Sequence, residues 1–459
     1  MKLAKSLLLG SAAGFAAVAG AQAADLPTRR AAPVAAAVDY VRVCSTYGAG
    51  FFYIPGSSDT CIRIGGRVRV DARYVEPFTR NDNAVQLFAR GRIQTDVRTA
   101  TSYGLLRTFV RMEMTRTGGA ATSANIAEAF IQFGGLTAGR VTSFFSNADL
   151  PTQHMGTLRF DDAPDINLFA YTFNFGNGFS ATIAAEEGQS RRSNSFAAAA
   201  FGLDSGKVFT DAAGGFIFQN PYVVVPGGQT VPDIVGNIRM AGTWGSVQLS
   251  GALHQIRDVG IAAGRMNALT GTALPAFADT EYGWAVMGSA GFNLPALGQG
   301  DAIWVAGTYS SGAASYSGFG DPTFFNTSGV VDAVINPMNG DLEHTDIWSV
   351  AGGFTHYWTP QLRSSVFGSY ARVEFGGYSS FVASTGATTG LADFSEWRIG
   401  GNTFWSPVSG LNIGVEVLYA QADYKGRVFE AVGSSLLKAG HLTSDIGAIE
   451  GRLRIQRDF

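Results

Sequence analysis

The feature that most constrains this chain is a two-residue alternation in which one face is apolar and the other is rich in arginine. Between positions 61 and 75, the apolar set is Ile62, Ile64, Val68, Val70 and Tyr74, and the polar set is Arg63, Arg67, Arg69, Asp71 and Arg73. Positions 85–98 repeat the pattern, with Arg90, Arg92 and Arg98 on the polar side. Successive side chains of a strand point to opposite faces, so both segments predict β-strands.

The composition of the polar face distinguishes this chain from an ordinary β-sandwich. The outer face of a sandwich meets bulk water and tolerates lysine freely. The chain has 33 basic residues, and lysine occurs only at positions 2, 5, 207, 425 and 438. Arginine suits fixed, hydrogen-bonded charge. An arginine-rich face therefore favours an enclosed polar lumen, with the apolar face turned to lipid. The net charge of −3 argues against a general nucleic-acid partner.

The N-terminus predicts an export signal over residues 1–23. A short basic start is followed by an apolar stretch, which ends in the small-residue cleavage site Ala21-Gln22-Ala23. The stretch is short for a membrane-spanning helix, so we expect cleavage after residue 23. No later run of 18 apolar residues exists, which excludes a helical inner-membrane protein. The possible classes are therefore a soluble periplasmic protein, a secreted protein and an outer-membrane barrel.

Sixteen strands are predicted along the mature chain. They span 61–75, 85–101, 104–116, 124–134, 137–145, 168–175, 179–187, 235–244, 247–257, 280–292, 301–311, 344–357, 361–373, 392–405, 411–423 and 445–459. Seven short connections alternate with eight long ones, which is typical of outer-membrane barrels with short periplasmic turns and long extracellular loops. We therefore expect an all-β fold in which residues 61–459 form a closed, antiparallel, 16-stranded transmembrane β-barrel, because an open sheet edge is unfavourable in lipid.

Three blocks of sequence resemble the alphaproteobacterial porins, the family typified by the major porins of rhizobia and Brucella. The blocks run from Val41 to Gly66, from Ala129 to Arg140, and along the last strand to Phe459. The resemblance implies a trimeric, 16-stranded general diffusion porin of the outer membrane, and the trimer rests on the family alone. A last strand that ends in an aromatic residue also resembles the signal read by the barrel assembly machinery, which makes Phe459 the expected assembly signal.

Porin selectivity comes from pore width and from charged side chains at a constriction, and in porins generally the third long loop folds into the lumen. Here that loop is 146–167, and its acids are Asp149, Asp161, Asp162 and Asp165. We expect them opposite arginines of the first three strands, namely Arg63, Arg67, Arg69, Arg73, Arg90, Arg92, Arg98, Arg107 and Arg111. The alternatives are a solvated surface loop for the acids and luminal lining away from the narrowest point for the arginines.

The two cysteines, Cys44 and Cys61, predict one disulfide, because exported proteins fold in an oxidising compartment. This bond would clamp residues 24–60, an expected periplasmic-side segment that precedes the first strand. The five histidines show no metal-ligand spacing, and no motif marks a nucleophile or a nucleotide-binding loop. We therefore expect no enzyme activity, no cofactor and no metal site.

The leading function is a general diffusion channel for small hydrophilic solutes and ions. The expected partners are two further copies of the chain, outer-membrane lipid and lipopolysaccharide, and the barrel assembly machinery, with no nucleic acid. The alternatives are a substrate-selective channel, for example for sugars, an enzyme embedded in a barrel, and a surface adhesin. The selective channel would have eighteen strands if residues 188–234 held a further hairpin.

Overall fold

Sixteen antiparallel strands close into a barrel in a computed structural model of the chain. We number them β1 to β16 in chain order. Their bounds are Thr60–Val75, Val85–Thr101, Gly104–Thr117, Ser123–Phe133, Leu136–Thr142, Asp165–Gly176, Phe179–Glu186, Asp233–Gly242, Gly245–Ile256, Glu281–Asn293, Ala302–Ser311, Asp346–Thr359, Leu362–Glu374, Phe394–Trp405, Leu411–Phe429 and Leu442–Asp458. The closed 16-stranded barrel predicted from the alternation is confirmed.

The structure describes residues 42–77, 83–119, 122–156, 158–193, 209–210, 216–217, 224, 226–259, 265–266, 270–275, 277–320, 330–336, 338–376, 380–382, 388–390, 393–429 and 442–459. The chain divides into two units, Met1–Arg42 and Val43–Phe459. Arg42 is the one described residue of the first unit, so the expected signal peptide at 1–23 lies outside the described residues. Within the described ranges, no helix has the length and apolar character needed to cross a membrane.

The first and last strands complete the sheet. β1 pairs with β16 in antiparallel register from Arg67 opposite Asp458 to Val75 opposite Glu450. Phe459 continues this ladder, because its backbone N–H donates to the Gly66 carbonyl at 3.0 Å and its carbonyl accepts from the Gly66 N–H at 2.9 Å. Glycine suits this position, since a Cβ atom on residue 66 would lie 2.8 Å from the Arg92 carbonyl oxygen and would also meet the Phe459 ring. The pairing predicted between the two ends of the barrel is therefore confirmed.

The alternation of the sequence becomes the two faces of the barrel wall. On β1, the outward Ile64 and Val68 are more than half exposed, whereas the inward Asp71 is fully buried. The outward face carries aromatic pairs near the long-loop ends of its strands. Their ring centroids are 5.1–5.3 Å apart in Trp284–Tyr309, Trp348–Tyr370 and Trp397–Tyr419. Such a ring of aromatics is typical of the interface between membrane and water.

The third long loop differs from its predicted bounds. β5 ends at Thr142 and β6 begins at Asp165, so the third loop spans 143–164 rather than 146–167. The shift arises because the ladder extends to Thr142 opposite Asp165, and the Ser143 N–H then donates to the Pro164 carbonyl at 2.9 Å. Asp165, predicted as a loop acid, is therefore the first residue of a wall strand.

Within the described residues of 188–232, no strand joins the barrel sheet. Phe216–Ile217 pairs with Phe209–Thr210 in a separate two-stranded sheet. The segment 222–225, which would have formed the other strand of the further hairpin considered above, lies almost wholly outside the described residues. Three further two-stranded sheets, at 265–274, 333–344 and 380–390, also stand apart from the barrel sheet. The short 3-10 helices are Ser45–Tyr47, Gly188–Arg191 and Ala314–Ser317.

The segment before β1 is folded and covalently held. Cys44 and Cys61 form a disulfide, as predicted, with sulfurs 2.02 Å apart. Phe51 is buried beside this bond, and the inward-facing Arg63 and Arg98 stack on its ring at 5.2 and 4.9 Å. A two-residue strand, Phe52–Tyr53, pairs with the start of β1. The segment thus packs on the wall at the short-turn end of the barrel.

We expect the variant Cys44→Ala/Cys61→Ala to keep its barrel while it loses order in residues 43–59. The ladder that closes the barrel does not include these residues, whereas the chain-entropy model assigns about 3 kcal/mol to a loop of this length. Heat-modifiable gel migration reports the barrel, and limited proteolysis followed by mass spectrometry reports the segment. Parental protease resistance before residue 60 would contradict this prediction.

Candidate functional site

The third loop turns into the barrel and lies on inward-facing polar side chains. The Gln248 amide on β9 donates to the carbonyls of Phe145 and Ser146 at 3.2 and 3.0 Å. The Asn402 amide on β14 donates to the Gln153 carbonyl at 2.7 Å, and the Ser369 hydroxyl on β13 accepts from the Arg159 N–H at 3.1 Å. The loop therefore contacts the inner wall both on β9 and on the neighbouring pair β13 and β14, which lie several strands away.

Apolar side chains fix the far end of this loop. Leu158 and Phe160 are buried against Trp304 of β11, Phe367 of β13 and Leu418 of β15. The ring centroids of Phe160 and Trp304 are 5.2 Å apart. These partners all face the interior of the barrel. Because their burial removes apolar surface from water, it stabilises the inward course of the loop.

A buried ion pair ties the same region to the wall. The Arg159 Nε donates to Glu396 Oε1 at 2.8 Å, and Arg398 donates to the same oxygen at 2.6 Å. All three side chains are at most 5% exposed. Two guanidinium groups thus share one carboxylate away from bulk water, which makes the position of Arg159 depend on Glu396.

A second buried pair joins the third loop to the fourth loop, residues 187–232. Arg191 donates to Asp161 Oδ1 at 2.7 Å, and the Ser146 hydroxyl donates to the other carboxylate oxygen. Burial lowers the pKa of Arg191, but Asp161, Tyr316 and Glu186 together outweigh this effect, and the pKa of Arg191 is raised. Arg191 therefore stays charged, and it holds the acidic end of the third loop in place.

The opposite wall carries the predicted arginines, and shared carboxylates hold most of them. Asp96 accepts hydrogen bonds from Arg98 and Arg107 at 2.8–3.1 Å, and Arg63 lies 4.0 Å away. Glu113 accepts from the Arg92 Nε at 2.7 Å and lies 3.4 Å from Arg90. The other four arginines also have partners, namely Arg67 with Asp458, Arg69 with Gln456, Arg73 with Glu450, and Arg111 with Glu128 and Asp165.

A water-accessible cavity of about 700 Å³ separates the arginine wall from the loops. Arg90, Arg92 and Arg111 line one part of it, and Asp161 and Asp162 line another. The Asp162 carboxylate is 44% exposed, with His154 Nε2 at 3.9 Å. The remaining charged lining residues are Glu113, Arg140, Asp165 and Arg191. The arrangement places opposite charges around one aqueous space.

The predicted acids therefore occupy three different settings. Asp161 and Asp162 border the cavity on the third loop. Asp165 borders it from β6, where it accepts from Arg111 at 2.7 Å and from the Thr142 hydroxyl at 3.1 Å. Asp149 lies elsewhere, because it forms an ion pair with Arg239 of β8. Of the nine predicted arginines, three border the cavity, whereas Arg63, Arg98 and Arg107 gather around Asp96 towards the short-turn end.

Sequence reasoning missed the residues that anchor the loops. Glu396 and Arg398 are inward-facing on β14, and Arg191 lies in a 3-10 helix of the fourth loop. The alternation of charged and apolar residues in Glu396-Trp397-Arg398-Ile399 could have assigned the first two to the lumen. No such pattern surrounds Arg191. Within the described ranges, no group of three His, Cys, Asp or Glu side chains could hold a metal ion.

Comparisons with known proteins agree with this architecture. The family model described as the porin subfamily matches residues 31–442. Porin Omp2b of Brucella suis biovar 1 and that of Brucella abortus (strain 2308) are each 35% identical over 261 residues. Each match covers 53% of this chain and 64% of the relative, so the aligned part spans less than two thirds of the relatives' length.

Among solved structures, the outer membrane channel DcaP of Acinetobacter baumannii has a similar fold. Its TM-score is 0.58 at 15% sequence identity, and the superposition covers 88% of this chain and 99% of that one. This likeness concerns the fold, and the family match covers most of the sequence. The chain therefore belongs to the porin subfamily, and it is a 16-stranded β-barrel of the outer membrane.

Proposed function

We propose that this chain forms a water-filled channel for passive diffusion of small hydrophilic solutes and ions, with its constriction at the third loop. The cavity of about 700 Å³ between that loop and the arginine wall carries the proposal. Charged side chains of both signs line this space, and such a lining favours hydrated solutes over apolar ones. The relatives named as porins support the same function.

The charge pattern supplies the selectivity of the proposed constriction. Arg90 and Arg92 are held by Glu113, and Asp161 is held by Arg191. These groups therefore stay in place when a solute enters, and opposite charges across water produce a transverse field. Dipolar solutes would align with this field, whereas apolar solutes would have to displace well-held water without compensation.

The partners follow from the family and from the surface. We propose a homotrimer embedded in outer-membrane lipid and lipopolysaccharide, as the resemblance to porins implies. We also propose that Phe459 is read by the barrel assembly machinery. Phe459 is 70% exposed next to the last strand, where another protein could contact it.

Liposome swelling tests the proposed function directly. Purified protein refolded into liposomes should admit small sugars of different chemistry at rates that fall smoothly with solute size. General diffusion predicts this dependence, because pore width then governs the rate. Rapid passage of one sugar among others of equal size would instead support the substrate-selective alternative. Liposomes that remain impermeable to every small solute would contradict the proposal.

We expect Asp162→Asn to shift ion selectivity towards anions. The substitution removes a negative charge that borders the cavity and leaves the arginines unchanged. Reversal potentials in a salt gradient across a planar bilayer measure the shift. The matched control is Asp59→Asn, which removes the same charge from an exposed site before β1. Equal shifts in the two variants would contradict the placement of Asp162 at the constriction.

We expect Arg67→Gln/Arg92→Gln to shift selectivity in the other direction, towards cations. Arg67 and Arg92 lie directly opposite each other on β1 and β2, and their carboxylate partners, Asp458 and Glu113, would remain. The same reversal-potential measurement applies, with Arg372→Gln on β13 as the control. A parental reversal potential in the double variant would show that this wall does not control ion passage.

We expect Glu396→Gln to destabilise the protein by about 3–5 kcal/mol, because Arg159 and Arg398 would lose their shared countercharge in a buried site. The matched control is Glu374→Gln. Its carboxylate is 57% exposed beside Arg372, so its loss should cost at most about 1 kcal/mol. Urea unfolding in detergent micelles compares the two. If the free energy of unfolding fell by a similar amount in both variants, the buried pair would not anchor the loop.

A further inference from the structure

The sixth long loop spans residues 312–345, and its residues 312–320 and 330–334 also enter the barrel. All four residues of its 3-10 helix, Ala314–Ser317, are buried. Phe319, Val331 and Val334 are each less than 5% exposed. Apolar residues of a solvated surface loop would remain largely exposed, so their burial indicates that this loop packs on a surface built to receive it.

That surface is the inner face of four consecutive strands. Near their long-loop ends, β12 to β15 present apolar side chains to the interior, and these pack with the sixth loop in one cluster. The wall residues in this cluster are Ile347, Ala371, Val373, Phe394 and Ala422. The lumen of a barrel channel is normally polar. Apolar residues at these inward positions are favourable because the loop keeps water away from them.

The sixth loop also contacts the third loop directly. Arg159 donates to the Gly318 carbonyl at 2.9 Å, and its guanidinium lies 4.4 Å from the centre of the Phe319 ring. The rings of Phe145 and Tyr316 meet edge to face at 4.7 Å. The two loops therefore share both a polar and an aromatic contact.

Backbone geometry shows how close the two loops come. Gly318 has a φ of 86°, which favours glycine. A Cβ atom on residue 318 would lie 2.5 Å from the Phe160 nitrogen and 2.6 Å from its carbonyl oxygen. Only a residue without a side chain allows this approach, so the third loop rests on the sixth.

The fourth loop completes the arrangement. The Arg191 guanidinium lies 4.2 Å from the centre of the Tyr316 ring while it binds Asp161. The Ser193 N–H donates to Asp332 at 3.0 Å, and the other oxygen of Asp332 accepts from the Ala314 N–H at 2.8 Å. Asp332, which belongs to the sixth loop, thereby binds both the start of that loop at Ala314 and the fourth loop at Ser193.

Part of the sixth loop borders the aqueous space itself. Ser315, Gly318 and Gly320 line the same cavity as Arg90 and Arg92. We propose that the sixth loop is a second pore-narrowing element, which limits the cross-section of the channel and supports the third loop from behind. This inference rests on the proposed channel function and adds a determinant of solute size to it.

The first test releases the loop from the wall. The variant Val331→Ser/Val334→Ser removes apolar contacts between the sixth loop and the wall. It keeps Phe319, which contacts Arg159 of the third loop. We expect a single-channel conductance about twofold above the parental value, because a wider cross-section carries more ions. Larger polyethylene glycols should also enter the channel. Heat-modifiable migration verifies that the barrel has folded. A folded variant with parental conductance and parental polymer cut-off would overturn the inference.

The second test adds charge without removing packing. Ser315→Asp places a carboxylate on the cavity lining, and we expect the reversal potential to shift towards cations. Ser409→Asp, in an exposed turn at the short-turn end, is the matched control and should retain the parental value. Equal reversal potentials in the two variants would overturn the placement of the sixth loop in the pore. A parental protein that conducts no ions would instead contradict the proposed function, so the two failures are distinguishable.

Discussion

The closing ladder between β1 and β16 is the interaction on which the rest of the structure depends. Lipid offers no partners to backbone N–H and C=O groups, so a sheet within a membrane is stable only when its two edges pair. The nine residue pairs from Arg67 opposite Asp458 to Val75 opposite Glu450 provide that closure. Once the edges are joined, every strand has one face towards lipid and one towards the interior, and the two-residue alternation fixes which side chains meet water.

Closure of the barrel brings many charged side chains close together in its interior. Like charges repel there unless each has a partner of opposite charge, and the arginine-rich wall provides such partners. Each guanidinium presents its five N–H donors in a planar, fixed arrangement. The two oxygens of a carboxylate offer about four acceptor sites, so one carboxylate can serve several arginines at once. Asp96 and Glu113 each do so across β1 to β3. Lysine would place a point charge on a flexible stem and would fix the field less well. This accounts for the excess of arginine in the sequence.

The alternation predicted the barrel, the number of strands and the face of each arginine, because strand parity is a local property. The course of the loops could not be predicted in the same way. Arg159 and Glu396 are 237 positions apart, and Arg191 meets Asp161 from a different loop. Such pairs depend on which loops turn inward, and this follows from packing between distant segments. Asp149 illustrates the limit, because its charge was evident in the sequence whereas its partner, Arg239, was not.

The inward-facing side chains of the wall differ between the regions that loops cover and the region that borders the aqueous cavity. On β14, the inward residues change along the strand from Phe394 near the long loops to Glu396, Arg398 and Asn402 further in. The apolar position meets the sixth loop, and the polar positions meet the third loop. On β1 to β3, by contrast, arginines and carboxylates dominate the inward positions, and the cavity lies against this wall. On β12 to β15, an inward apolar side chain therefore marks a part of the lumen that a loop fills. On β1 to β3, an inward arginine marks the side on which the aqueous path remains.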